Sequence, residues 1–221
     1  ETLSSKLKSK IRNQSVSERW LIFISAMSQP TVRLIMVLTF VSVLAFAGLE
    51  ATFALWSKRE FGWGVAQNGY IFAFIGIISA LIQGTMIGPL SRRIGEIGMV
   101  KQGFIALGIG LAILPLANYL PILLVTLVII AYGFSISSPA LTTLLSLNVP
   151  DELQGGVLGI GRSASTLARA LGPAIAGYVF VLFGRSWPFY IGAFLMFIVL
   201  ILAQSFPKDT KGSKIQNLKN Q

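Results

Sequence analysis

Six stretches of about 20 apolar residues, each long enough to cross ~30 Å of hydrocarbon, constrain this chain more than any other feature. They run roughly from Leu34 to Trp56, Gly69 to Leu90, Gly98 to Ala117, Leu120 to Leu147, Gly156 to Phe183, and Trp187 to Phe206. Backbone amides in lipid find no water, so each run must satisfy its own hydrogen bonds, and runs this long and evenly apolar are helices, not barrel strands. The composition agrees: 54% of the 221 residues are hydrophobic and only 12% charged, too little polar surface to keep six such helices in water. The expected fold is an all-α membrane protein.

Short turns join the runs: Phe61-Gly62-Trp63-Gly64, Arg92-Arg93-Ile94-Gly95, Asn118-Tyr119, Asn148-Val149-Pro150-Asp151 and Gly184-Arg185-Ser186. Neighbouring helices are therefore antiparallel, and an even number of spans places both termini on one side. Thirteen cations fall on that side: Lys6, Lys8, Lys10, Arg12, Arg19, Arg33, Arg92, Arg93, Lys101, Lys208, Lys211, Lys214 and Lys219. Only Lys58, Arg59 and Arg185 fall on the other. An excess of Lys and Arg marks the cytoplasmic face, so both termini are expected in the cytoplasm, at a plasma or inner membrane. Residues 1–32 read as a cytoplasmic lead, 33–206 as the transmembrane unit, and 207–221 as a basic cytoplasmic tail. The chain opens Glu1-Thr2-Leu3 without an initiator Met and is expected to be a piece of a longer one.

The net charge of +10 is explained by this topology, since no basic stripe interleaves with aromatics as a nucleic-acid surface would require. With neither Cys nor His, the chain lacks the commonest metal ligands and the commonest general base, so no metal, cofactor or enzymatic site is expected.

The second run ends Gln83-Gly84-Thr85-Met86-Ile87-Gly88-Pro89-Leu90-Ser91-Arg92-Arg93-Ile94-Gly95-Glu96, a glycine-rich helix end entering a basic turn. This resembles the second copy of the loop motif of the major facilitator superfamily, with the acidic and basic positions exchanged at Arg92 and Glu96. Gly48-Leu49-Glu50-Ala51-Thr52-Phe53-Ala54-Leu55-Trp56 and Leu171-Gly172-Pro173-Ala174-Ile175-Ala176-Gly177 agree with the same resemblance. The pattern, from Arg33 to Phe206, looks like the second six-helix half of tetracycline-type and multidrug proton antiporters. The resemblance implies two inverted three-helix repeats, Arg33 to Ala117 and Leu120 to Phe206, with the first helix of each lining a cavity. It also implies a separate N-terminal six-helix half, a small-molecule substrate such as a drug or other organic solute, proton coupling, and export by alternating access. A sugar or metabolite permease of the same fold is the alternative. From other classes, the rivals are a membrane scaffold or receptor and an integral-membrane enzyme.

Charged groups inside apolar helices are the candidates for mechanism, because a charge in hydrocarbon persists only when paired, wetted or neutralised. Glu50 lies about 24 Å along the first span and reads either as a proton-linked or substrate-contacting acid or as a structural carboxylate. Arg162 and Arg169, seven residues apart, share a face of the fifth span. An arginine stays charged, so Arg169 is expected to meet Glu50, directly or through water, and Arg162 to pair with Glu96 or a loop acid. Asp151 and Glu152 open the fifth helix, where acids complement the helix dipole. They are also candidates for a cytoplasmic gate bridge to Arg92 or Arg93, with Gly88, Gly95 and Glu96 completing the loop motif. Gln83 is a candidate substrate contact, whereas Ser135, Ser137, Ser138, Thr142 and Thr143 are expected mainly to bond backbone or neighbouring helices.

Pro139 and Pro173 each remove a helical hydrogen bond and are expected to bend the fourth and fifth helices. Gly172, Gly177 and the other small residues between Gly155 and Ala176 form a close-packing stripe, for the missing half or for another helix of this one. Trp20, Trp56, Trp63, Trp187 and Tyr190 read as interfacial anchors.

Overall fold

The computed structural model describes Ile24 and residues 28–206. Six helices account for almost all of it: α1 (Pro30–Phe61), α2 (Val65–Thr85), α3 (Ile87–Ile113), α4 (Leu120–Leu147), α5 (Asp151–Phe183) and α6 (Trp187–Leu202). Short 3-10 turns follow α3 and α6, at Leu114–Leu116 and Ala203–Ser205. Each helix, with its 3-10 extension where it has one, is long and apolar enough to cross a membrane. Pro30, Pro121 and Pro188 sit in the first turns of α1, α4 and α6, where the missing N–H has no helical partner to lose.

Helix ends differ from the expected boundaries for local reasons. Beyond Trp56, α1 continues to Phe61 and stops where Gly62 takes a left-handed conformation (φ 70). The Gly62 N–H donates to the Lys58 carbonyl at 3.1 Å and the Trp63 N–H to Ser57 at 3.4 Å, which closes the last turn. A compact knot then starts α2: the Gly64 N–H donates to Gln67 Oε1 at 3.0 Å and Asn68 Nδ2 to the Gly64 carbonyl at 2.9 Å. The Ser57 hydroxyl completes it by donating to Asn68 Oδ1 at 2.8 Å.

The basic turn after α2 is tighter than a four-residue loop. Helical bonding passes through Met86, whose N–H donates to the Ile82 carbonyl at 2.9 Å and whose carbonyl accepts from Leu90 at 2.9 Å. Arg92, Arg93 and Ile94 are helical. The break falls on Gly95 alone, at φ 68 and ψ 172, backbone space that is essentially glycine-only.

Packing follows the two three-helix repeats. α1 lies along α5 as α4 lies along α2, and α3 lies along α4 as α6 lies along α1, while α3 meets α6 and α1 meets α4. Small residues set the two closest crossings. A Cβ on Gly172 would stand 2.8 Å from the Leu44 carbonyl and 3.0 Å from the Ala47 Cβ, and one on Gly103 would stand 2.6 Å from the Gly133 carbonyl. Burial is uneven: 56% of the most apolar window of α1 and 50% of that of α4 are buried, against 17% for α2 and 22% for α5. The core is therefore built on α1, α3 and α4, and α2 and α5 present broad uncovered faces.

Trp56 does not present its ring to an interface: it is fully buried, in edge contact with Phe61 and Phe189 and tilted against Phe53, on the side of α1 that packs against α6. Trp187 and Tyr190, by contrast, are exposed at the start of α6. Trp20 lies outside the described residues.

Candidate transport site

The α1–α5 crossing positions two charges. Arg169 precedes Gly172 by three residues, Glu50 follows Gly48 by two, and the helices approach so closely here that a Cβ on Gly48 would lie 3.0 Å from that of Ala176. Arg169 Nη1 donates to Glu50 Oε2 at 3.3 Å. Neither side chain is enclosed: Arg169 is 52% and Glu50 43% exposed, so the pair faces an open side of the bundle. A single long hydrogen bond leaves most of the guanidinium's donors free. One helical turn before Glu50, Phe46 stacks on Phe134 of α4 with ring centroids 3.8 Å apart and an interplanar angle of 5°. Acid, guanidinium and flat aromatic pair thus come from α1, α5 and α4.

The remaining candidates are dispersed. Gln83 is exposed on α2, which packs mainly on α4, and takes no part in the ion pair. Gly88, Arg92 and Arg93 are exposed, and nothing lies within 4 Å of a Cβ built on Gly88. Glu96 is half-buried and accepts the Ser91 hydroxyl at 2.7 Å across the Gly95 break. No ion pair joins it to Arg162 among the described residues: the local hydroxyl satisfies it, and Arg162 stays exposed on α5. The side chains of Asp151 and Glu152 lie outside the described residues, so their bridge to Arg92 or Arg93 does too; the residue capping α5 is Pro150.

Helix α4 runs unbroken through Pro139 and α5 through Pro173. In α4 the Ser137 hydroxyl donates to the Gly133 carbonyl at 2.8 Å and Thr142 to Ser138 at 3.2 Å, the expected backbone role. The small-residue stripe of α5 divides in two. Gly172, Ala176 and Gly161 pack on this bundle, Gly161 against Leu145, whereas a Cβ on Gly155, Gly159 or Gly177 would meet nothing within 4 Å.

Sequence reasoning missed a second ion pair. Arg185 Nη2 and Glu60 Oε2 stand 2.9 Å apart, with Glu60 only 18% exposed. They join the end of α1 to the α5–α6 turn, and Arg59 lies over the Phe180 ring at 4.7 Å beside them. Charges at helix ends are solvated by default, so nothing in their spacing marks these as partners.

Six membrane-length helices in two interlocked three-helix repeats, with an ion pair held between two of them, define a multi-pass membrane protein. The sequence profile of the Major Facilitator Superfamily matches residues 12–220, and the chain belongs to that family. It is 31% identical over 176 residues to mouse Major facilitator superfamily domain-containing protein 10, an alignment covering 77% of this chain and 38% of that protein. It is 27% identical over 202 residues to Multidrug resistance protein 2 of Bacillus subtilis (strain 168), covering 90% of this chain and 50% of that one. Its fold matches the crystal structure of the human organic anion transporter MFSD10 (TETRAN) with a TM-score of 0.71 and 29% identity, over 78% of this chain and 40% of the other. The chain thus spans half or less of the length of these relatives.

Proposed function

We propose that this chain is the C-terminal half of a proton-coupled secondary transporter that moves a small organic anion by alternating access. The Glu50–Arg169 contact carries the reading: a permanent cation and a titratable acid meet at 3.3 Å on an open face of membrane-spanning helices. A scaffold gains nothing from such charges, which are tolerated in membranes chiefly where they do work. The chemistry couples two ligands. A proton on Glu50 cancels its attraction for Arg169, and the freed guanidinium forks onto a carboxylate or phosphate of the substrate. Loss of the proton lets Glu50 compete the anion away. The substrate class agrees with the organic anion transporter whose fold the chain matches.

The uncovered faces of α2 and α5, with Gly155, Gly159 and Gly177 open on the latter, suit contact with an N-terminal six-helix half. The cation asymmetry supports a cytoplasmic position for both termini. Export of a drug against protons is the second reading, favoured by the likeness to a bacterial multidrug resistance protein.

Transport by the full-length gene product in proteoliposomes tests the reading. A radiolabelled aromatic carboxylate should accumulate when a pH gradient is imposed. Arg169→Gln should abolish the uptake, and Glu50→Gln should leave anion exchange while removing its dependence on the gradient. Uptake of cationic drugs unaffected by Arg169→Gln would replace this proposal with the second reading.

A further inference from the structure

A groove of about 370 Å³ lies between the first turns of α1 and the middle of α5, on the N-terminal side of the ion pair along both helices. Met36, Val37 and Phe40 form one wall, and Ile160, Ala164 and Leu167 the other. Its polar contributors are Ser163 and Arg33. The Ser163 hydroxyl is already committed, donating to the Gly159 carbonyl at 3.1 Å, so Arg33 supplies the free donors. Arg33 is exposed, and no carboxylate pairs with it among the described residues.

The groove is polar at one end only. Arg33 is the fourth residue of α1, in the first turn of the span, and Phe40 lies about 10 Å further along the helix axis. An occupant must therefore be anionic at one end and apolar over at least that length. Diffusible solutes meeting that description are scarce in the membrane, whereas lipids meet it throughout one leaflet. The chain's charge selects among them: Lys6, Lys8, Lys10, Arg12 and Arg19 precede α1, and basic segments beside a span concentrate anionic lipid.

We infer that this groove binds one anionic glycerophospholipid, its phosphate on the Arg33 guanidinium and the upper part of one acyl chain along Met36, Val37, Phe40 and Leu167. The guanidinium fork matches two phosphate oxygens. The lipid bridges α1 and α5 on the cytoplasmic side of their crossing and leaves the Glu50–Arg169 pair free. The inference rests on the membrane-spanning fold and not on the transported substrate, so either can fail alone.

The test uses the purified full-length gene product in detergent, with thermal stabilisation titrated against phosphatidylglycerol, phosphatidylcholine of the same chains, and glycerol 3-phosphate. Phosphatidylglycerol should stabilise at concentrations about tenfold below those needed for phosphatidylcholine, whose choline cation sits next to the phosphate and is repelled by the Arg33 guanidinium. The headgroup alone should have no effect. Arg33→Gln should erase the preference, and Ala164→Phe, which fills the groove, should weaken both lipids. Should Ala164→Phe not fold, Val37→Gln on the exposed rim tests the chain contact instead. Equal stabilisation by both lipids, a preference retained in Arg33→Gln, or stabilisation by glycerol 3-phosphate alone would each overturn the assignment. So would a disulfide forming between cysteines placed at Val37 and in the N-terminal half, which would mean that protein fills the groove.

Discussion

Arg169 meets Glu50 at 3.3 Å because the helices that carry them touch backbone to backbone three residues further on, where a Cβ on Gly172 would stand 2.8 Å from the Leu44 carbonyl. The charge pair and the glycine contact form one device: the crossing sets the distance across which the pair acts. Anything that separates α1 from α5 lengthens the ion pair as well.

Gly172→Ala therefore tests packing and chemistry together. Its methyl group meets backbone, which cannot rotate aside, so the helices must part at a cost of about 1–3 kcal/mol. Thermal unfolding in detergent should show the loss, and transport should fall with it.

The ion pair itself should contribute little to stability. Both side chains are about half exposed, and such pairs contribute roughly 0–1 kcal/mol. Glu50→Gln and Arg169→Gln should each unfold within about 1 kcal/mol of the parent while altering transport by tenfold or more. In the double mutant the two transport losses should be strongly non-additive, since removing either partner already breaks the pair. Strict additivity would mean that the two residues act separately.

At the opposite end of α1, the Glu60–Arg185 pair ties α1 to the α5–α6 turn. Glu60→Lys should destabilise the fold by about 1 kcal/mol, because a like charge then faces Arg185. Adding Arg185→Glu should recover most of that loss. A swap that recovers nothing would show the 2.9 Å contact to be incidental.

Gly95 carries the turn between the second and third spans in a conformation reserved for glycine, so Gly95→Val should strain it by about 1–3 kcal/mol. Arg92→Gln and Arg93→Gln, on exposed helical side chains, should leave unfolding unchanged. Limited proteolysis at this turn gives an independent readout, with cleavage enhanced only in the glycine variant.

The number of spans, their helical nature and the family were legible in the sequence because lipid imposes rules that hold residue by residue: about twenty apolar residues per crossing, no unpaired backbone, few charges inside. Glu50 and Arg169 stood out for the same reason, as charges where charge is costly. Tertiary structure decided the rest. It chose Gly172 and Gly103 from 22 glycines as contact points, because a close approach depends on which faces two helices turn to each other. It put the Trp56 ring in the core, against Phe189, since which side of α1 faces the last helix is set by packing. It paired Glu60 with Arg185 and left Arg162 apart from Glu96, because groups at helix ends find partners through the arrangement of turns, which hydrophobic periodicity does not encode. Composition and spacing dictate what must cross a membrane, and only packing determines which side chains meet once it has been crossed.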